Sequence, residues 1–349
     1  MRLHLLAALC CAAVLAACQA GPQARDPSTP LPADPDARAV EASSGEGSTP
    51  AVDPAGVGAN ELGQVPVIMH HRIIEGGGGE YDRSPEEFRA ELQRLYDEGY
   101  RPVRTVDLAR GEVDVPAGTT PVVLTFDDST REQFALDADG QVDPDTAIGI
   151  LLDFAQEHPD FSPVASLYIN AGPFGVADSG PLLTWLHEHG FELGNHTVRH
   201  ANLGQLPADD VRKQLALGAR VITDVVPEAE VTTLSLPLGI WPDPRDLAYR
   251  GSHEGDDYDH EAVLLVGAGP SPSPFHADFD PLAIPRIRSS AWDGGEPNFG
   301  SDYWLQWFAD NPQRRYVSDG DPARVSFPEG LAEQLDEAHV EGANPYPPS

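Results

Sequence analysis

The chain has 349 residues, with 22 Lys+Arg against 56 Asp+Glu and a formal net charge of −34. So acidic a surface repels nucleic-acid phosphate and anionic lipid headgroups, and no nucleic-acid partner is expected. Lys213 is the sole lysine, and the cysteines Cys10, Cys11 and Cys18 all lie at or before position 18, so the folded part is expected to hold itself without disulfides.

The N-terminus reads as an export signal. Arg2 supplies a positive start, and Leu3 to Ala17 is an apolar run too short for a typical membrane span that closes in small residues. Leu15-Ala16-Ala17-Cys18 resembles a bacterial lipobox. That implies cleavage after residue 17, lipidation of Cys18, and an extracytoplasmic lipoprotein anchored to the cell membrane. From Gln19 to Gly63, Pro, Ala, Asp, Ser and Gly dominate, and such a stretch buries too little apolar surface to offset its ordering entropy. The expected organisation is a signal peptide over 1–17, the lipidated Cys and a flexible tether over 18–63, one folded domain over 64–328, and a polar C-terminal tail over 329–349.

Val65 to Met69 reads as a buried strand ending at His70-His71. Ser84-Pro85-Glu86-Glu87 then opens a helix, with Ser as N-cap, Pro in the first turn and Glu three residues after the cap. Phe88, Leu92, Leu95 and Tyr96 share one of its faces and Gly99 ends it. Pro121 to Phe126 is a second buried strand. Helices are expected over Ile148 to Phe154, Pro181 to His189 and Asp209 to Val225, and strands over Ala165 to Asn170, Phe191 to Gly194, Thr232 to Leu236 and Ala262 to Val266. Alternating helices and wholly apolar strands predict parallel strands covered by helices, an α/β barrel or a doubly wound sheet. Two weaker signals take bland readings. Asp137 to Asp143 is an acidic turn without calcium-loop spacing, and the aromatics of Tyr303 to Phe308 are core packing at helical spacing.

The polar residues His71, Asp127-Asp128 and His196 all fall just past strand C-termini, the end where such folds assemble their sites. Asp127 and Asp128 are adjacent, so their side chains diverge: one is free to hold a metal while the other faces a reacting water. His196 and His200 are four apart and can meet one ion from a helical turn. One Asp and two His make a three-ligand set suited to Zn²⁺, with Co²⁺ and Ni²⁺ as further candidates.

Thr125-Phe126-Asp127-Asp128 together with Gly194-Asn195-His196-Thr197-Val198-Arg199-His200 resembles the polysaccharide deacetylases, the NodB-homology family or carbohydrate esterase family 4. The resemblance implies a distorted (β/α) barrel, a divalent metal, and hydrolysis of N-acetyl groups on GlcNAc-type residues of a cell-surface polysaccharide. It also implies Asp127 as general base and Asp128, His196 and His200 as metal ligands. Ser235-Leu236-Pro237-Leu238-Gly239 stands where the family has Arg-Pro-Pro-Tyr-Gly, which makes the Leu238 N–H an oxyanion donor and leaves the motif arginine missing. Arg286 is the expected replacement. No late Leu-x-His motif follows residue 300. Val67 to Ile73 is instead similar to the first-strand segment of the rearranged branch that includes the poly-N-acetylglucosamine deacetylases, which implies His71 as general acid. The altered third motif and the absent late His keep open a catalytically silent carbohydrate-binding lipoprotein, and a metal-dependent O-acetyl esterase is a further alternative that substrate assays separate.

Overall fold

The computed structural model describes residues 52–267 and 269–347. The expected signal peptide and the lipidation site Cys18 lie outside the described residues. Eight strands form the main sheet: β1 (Val67–His70), β2 (Tyr100–Val103), β3 (Thr120–Phe126), β4 (Ser166–Ile169), β5 (Glu192–Asn195), β6 (Thr233–Ser235), β7 (Ala262–Leu264) and β8 (Ile287–Arg288). Every pairing is parallel, in the order β7-β6-β5-β4-β3-β1-β8, with β2 sharing with β4 one edge of β3. A parallel bridge from Leu264 to Ile284, three positions before β8, draws the two ends together and curls the sheet into a distorted barrel.

All seven residues of β3 are buried, as a strand covered on both faces requires. Alternate side chains go to two different cores. Ile68, Leu124, Leu167 and Leu193 pack outward in one cluster, while Val67, Val123, Tyr168 and Leu264 belong to another. Truncating a fully buried member such as Leu124 to Ala costs about 2–5 kcal/mol.

The covering helices are α1 (Pro85–Asp97), α2 (Thr105–Arg110), α3 (Ala147–Glu157), α4 (Gly180–Glu188), α5 (Ala208–Thr223) and α6 (Ser301–Asp310). The expected capping box of α1 is present: Glu87 N–H donates to Ser84 Oγ at 3.1 Å, and Ser84 N–H to Glu87 Oε2 at 2.8 Å. Gly99, at φ 81°, follows its end. Strand β2, helix α2 and strand β8 have no counterpart among the sequence expectations. In α6, Leu305 and Phe308 are buried while Tyr303, Trp304 and Trp307 are half-buried, and no helix among the described residues is long and apolar enough to cross a membrane.

Two boundaries move. The tether expected to end at 63 is folded from Asp53 onward: Glu61 is 2% exposed, and its carboxylate accepts from Asp319 N–H at 3.1 Å and Ser326 N–H at 2.7 Å. The tail expected from 329 is also part of the fold. Ala343–Tyr346 pairs in parallel with Val325–Pro328, and Tyr346 donates its hydroxyl to the Ala59 carbonyl at 2.6 Å. Both segments are tied in by hydrogen bonds and by scattered apolar residues such as Leu62 and Leu335, without a periodic stripe, so composition and periodicity do not reveal them.

Candidate active site

Strand β3 delivers Asp127 and Asp128 to the rim, and β5 delivers His196. Asp127 is 2% exposed and sits in a fork. Arg286 Nη1 donates to Oδ1 and Nη2 to Oδ2, both at 2.8 Å, and Ser235 Oγ donates to Oδ2 at 3.0 Å. The guanidinium is itself fully buried; it also donates to the Leu265 carbonyl at 2.6 Å and to Thr125 Oγ1 at 3.2 Å. Burial alone would raise the Asp127 carboxyl, but Arg286 and His196 outweigh it and hold it well below the usual carboxylate range.

Asp128, His196 and His200 each bring one ligand atom to within 4.8 Å of the others. His196 and His200 approach Asp128 Oδ1 through Nε2, at 3.4 Å and 3.6 Å. His196 Nδ1 lies 2.8 Å from the Ser235 carbonyl, which only accepts. The ring proton is therefore on Nδ1, and the Nε2 lone pair is left facing the cluster. That Nε2 is buried and has no hydrogen-bond partner. An orphaned imidazole lone pair beside a carboxylate and a second imidazole is a donor set that fits a divalent cation. Burial raises the Asp128 carboxyl and the neighbouring imidazoles of His196 and His71 lower it, the net direction being downward.

The histidine pair does not sit on the helical turn expected from its spacing. Residues 197–199 form a turn in which Thr197 has φ 61° and His200 φ 48°. Asn195 builds it, accepting from Thr197 N–H at 2.9 Å and donating to the Leu215 carbonyl at 2.9 Å. Gly218 on α5 makes room, since a Cβ there would stand 2.3 Å from Asn195 Oδ1. Among the described residues eight non-glycine positions have positive φ, and five of them lie on the three motif loops: Asp128, Ser129, Thr197, His200 and Leu238. Each such conformation costs on the order of 1–3 kcal/mol, and clustering of that kind marks a site.

His71 follows β1 on the same rim, where one Gln133 Nε2 donates to both its carbonyl and that of Asp127, and burial lowers its imidazole. Its Nδ1 is buried without a partner. His70 faces the opposite way: it stacks on Phe126 with centroids 4.9 Å apart and holds Glu91 Oε2 at 2.7 Å through Nε2, a structural role. Leu238 closes the rim beyond β6 with φ 60° and an exposed side chain. All the sequence-predicted site residues among the described residues thus lie on this rim or support it.

Sequence reasoning assigned no role to three residues of the site. Ser235 touches Asp127, Arg286 and His196 at once. Gln133 Nε2 donates to the carbonyls of His71 and Asp127, tying the first and second motif loops together. Tyr81 lays its ring 4.8 Å from that of His71. The only signal for Ser235 was its place where an arginine was missing.

A family model described as polysaccharide deacetylase matches residues 164–250. A chitooligosaccharide deacetylase of Sinorhizobium fredii is 29% identical over 126 residues, 36% of this chain and 50% of that protein. One from a Bradyrhizobium strain is 26% identical over 125 residues, 36% of this chain and 49% of that protein. The matches therefore span about half the length of these curated relatives. Among solved structures, a Streptococcus pyogenes deacetylase in complex with acetate is similar with a TM-score of 0.51 and 19% identity, over 70% of this chain and 97% of that one. A Bacillus cereus polysaccharide deacetylase gives 0.50 and 18%, over 71% and 68%. At such identities these two likenesses bear on the fold. Residues 164–250 thus match the polysaccharide deacetylase family model, and the motif residues that resemble the NodB-homology family gather on one rim.

Proposed function

We propose that this protein is a metal-dependent hydrolase that removes N-acetyl groups from GlcNAc-type residues of a cell-surface polysaccharide. The observation that carries the reading is the pairing of a buried, arginine-held carboxylate, Asp127, with the adjacent Asp128, His196 and His200 set. The two curated relatives, both chitooligosaccharide deacetylases, support the substrate class.

Asp128, His196 and His200 hold the cation, with Zn²⁺ favoured by the donor set. When bound, it supplies Lewis-acid polarisation of the acetyl carbonyl and lowers the pKa of water. Asp127 takes the proton of the water that adds to the carbonyl carbon. Its Oδ2 already accepts from Arg286 and Ser235, whereas Oδ1 accepts only from Arg286, so Oδ1 keeps a lone pair for that proton. The Leu238 N–H donates to the oxygen that becomes negative. His71 protonates the nitrogen as the C–N bond breaks, and acetate and a free amine leave. Arg286 fixes the plane of the base and keeps it ionised.

The test is acetate release from an N-acetylglucosamine oligomer by the full chain, with added Zn²⁺, with a chelator, and with Asp127→Asn. Release that needs metal and disappears in the variant is the expected outcome. Metal-loaded, folded protein that releases acetate from no acetylated glycan would sink the reading. We also propose that Cys18 carries the lipid anchor; Cys18→Ser protein that still fractionates with membranes would remove that part.

A further inference from the structure

Beyond the residues of the reaction, one exposed aromatic ring stands beside the proton donor and is held in place with unusual care. Among the described residues six large apolar side chains are exposed, and four of them, Tyr81, Leu238, Ile240 and Phe299, lie on loops at the strand C-terminal rim. Apolar surface gathered at one mouth of an otherwise highly charged protein marks a contact surface rather than scatter. Tyr81 differs from the other three in what surrounds it. It is 41% exposed, and its ring centroid lies 4.8 Å from that of His71, tilted by 52°.

The ring follows the run Gly76 to Gly79, of which Gly76, Gly77 and Gly78 have positive φ. A glycine run of that kind would by itself leave a neighbouring side chain poorly positioned. Both residues flanking Tyr81 are pinned instead. Asp82, nearly buried, takes a bidentate pair from Arg72, with Nε–Oδ1 and Nη2–Oδ2 both at 2.8 Å. Glu80 is bound by Arg288 Nη1, and the same guanidinium sits 5.5 Å over the Tyr81 ring. Surface ion pairs contribute little to folding stability. Two of them bracketing one aromatic residue fix its orientation before any ligand arrives, which lowers the entropy cost of binding.

We propose that Tyr81 is a sugar-stacking subsite, a specificity residue that takes the apolar face of a pyranose ring and holds the chain so that the reacting nitrogen lies within reach of His71. This rests on the deacetylase reading and extends it: the preferred ligand is an oligomer with at least one ring beyond the reacting unit. Stacking energy spent on that neighbouring ring positions the reacting one. Arg288 and Glu80 are positioning residues that act through Tyr81.

The experiment measures binding separately from turnover. Affinity for a fully deacetylated glucosamine oligomer is measured by calorimetry on full-length protein and on Tyr81→Ala, Tyr81→Phe and Glu80→Gln. KM and kcat are then taken with N-acetylglucosamine oligomers of increasing length. An aromatic stack is worth about 0.5–1.5 kcal/mol, so Tyr81→Ala is expected to weaken binding roughly two- to tenfold. The loss should fall more on KM than on kcat and grow with oligomer length, and Tyr81→Phe should restore it. Glu80→Gln should give a smaller loss in the same direction. Equal affinity in Tyr81→Ala and wild type overturns the subsite, as does a loss in kcat alone that does not depend on length. If wild type binds oligomers but releases no acetate, the deacetylase reading fails, and the ratio of affinities still decides the role of Tyr81.

Discussion

Asp127 and Glu192 are both carboxylates buried in the barrel wall, yet the fold treats them in opposite ways. Asp127 stands past the C-terminal end of β3 and is neutralised by a guanidinium that shares both its oxygens. Glu192 opens β5 at the other pole. Its oxygens accept from Thr233 Oγ1 at 2.6 Å, Ser166 Oγ at 2.7 Å and the Val106 N–H at 3.1 Å. Among the described residues no cation pairs with it. Burial therefore raises Glu192, and its hydroxyl partners and the Val106 N–H offset only part of that; Arg286 and His196 drive Asp127 the other way. The rim keeps a charge ready to take a proton, and the floor uses the same functional group as a hydrogen-bonded plug. In barrels of this kind chemistry belongs to the first pole and stability to the second.

Substitutions at the two poles sharpen that contrast. Asp127→Asn preserves shape and removes the base, so acetate release should fall by about 10²- to 10⁴-fold; it also leaves the buried Arg286 guanidinium without its counter-charge, so the melting temperature should fall too. A residual rate within threefold of wild type would show that the rim carboxylate is not the proton acceptor. Arg286→Met leaves Asp127 buried and unpaired and should destabilise the protein by about 3–5 kcal/mol in urea titrations. Glu192→Gln puts a neutral group of the same shape in its place and should cost about 1 kcal/mol or less. Equal costs at the two positions would erase the distinction drawn here.

Acidity offers a finer probe. Glu192 is raised in the fold, and Glu61, near the floor, is pushed up to about 7 from 4.5, mainly by burial. An acid whose folded pKa exceeds its unfolded one adds stability that is whole below about 4.5 and lost as pH rises through the folded value. For Glu61 that window runs from 4.5 to about 7. Unfolding free energies across this range should decline less steeply in Glu61→Gln and in Glu192→Gln than in wild type. Parallel curves for all three proteins would mean the carboxyls are ionised throughout. A comparably small effect is expected of Thr233→Val, which removes one donor from Glu192 and should cost about 1 kcal/mol.

Much of this architecture was legible in the sequence because it repeats. The apolar run Val122 to Leu124 and the cap Ser84 with Glu87 are local signals, and local physics read them correctly. The motif residues were legible for a different reason: Asp127-Asp128 and His196 with His200 are chemistry-bearing types at strand ends. What stayed hidden depends on contacts between distant positions. Arg286 was a reasonable candidate for the missing charge, but its reach to Asp127 requires the curl that brings β8 and its approach beside β1 and β7. The turn at 197–199 was misread as helical because a spacing of four does not encode the sign of φ. Tyr81 gave no signal at all, since its role comes from two arginines, one of them 208 positions from Glu80.

The clasp between Asn60, Glu61 and the strands near Val317 and Ser326 has a topological consequence. With Tyr346 bonded to the Ala59 carbonyl, the first and last described segments meet at one spot. The wiring is therefore close to circular. A short linker joining residues near 53 and 347, with new termini opened in an exposed loop such as the one around Gly140, would keep every strand neighbour in place. Such a rewired protein should retain the barrel, because the order in which the strands are synthesised would change while the order in which they pack would not.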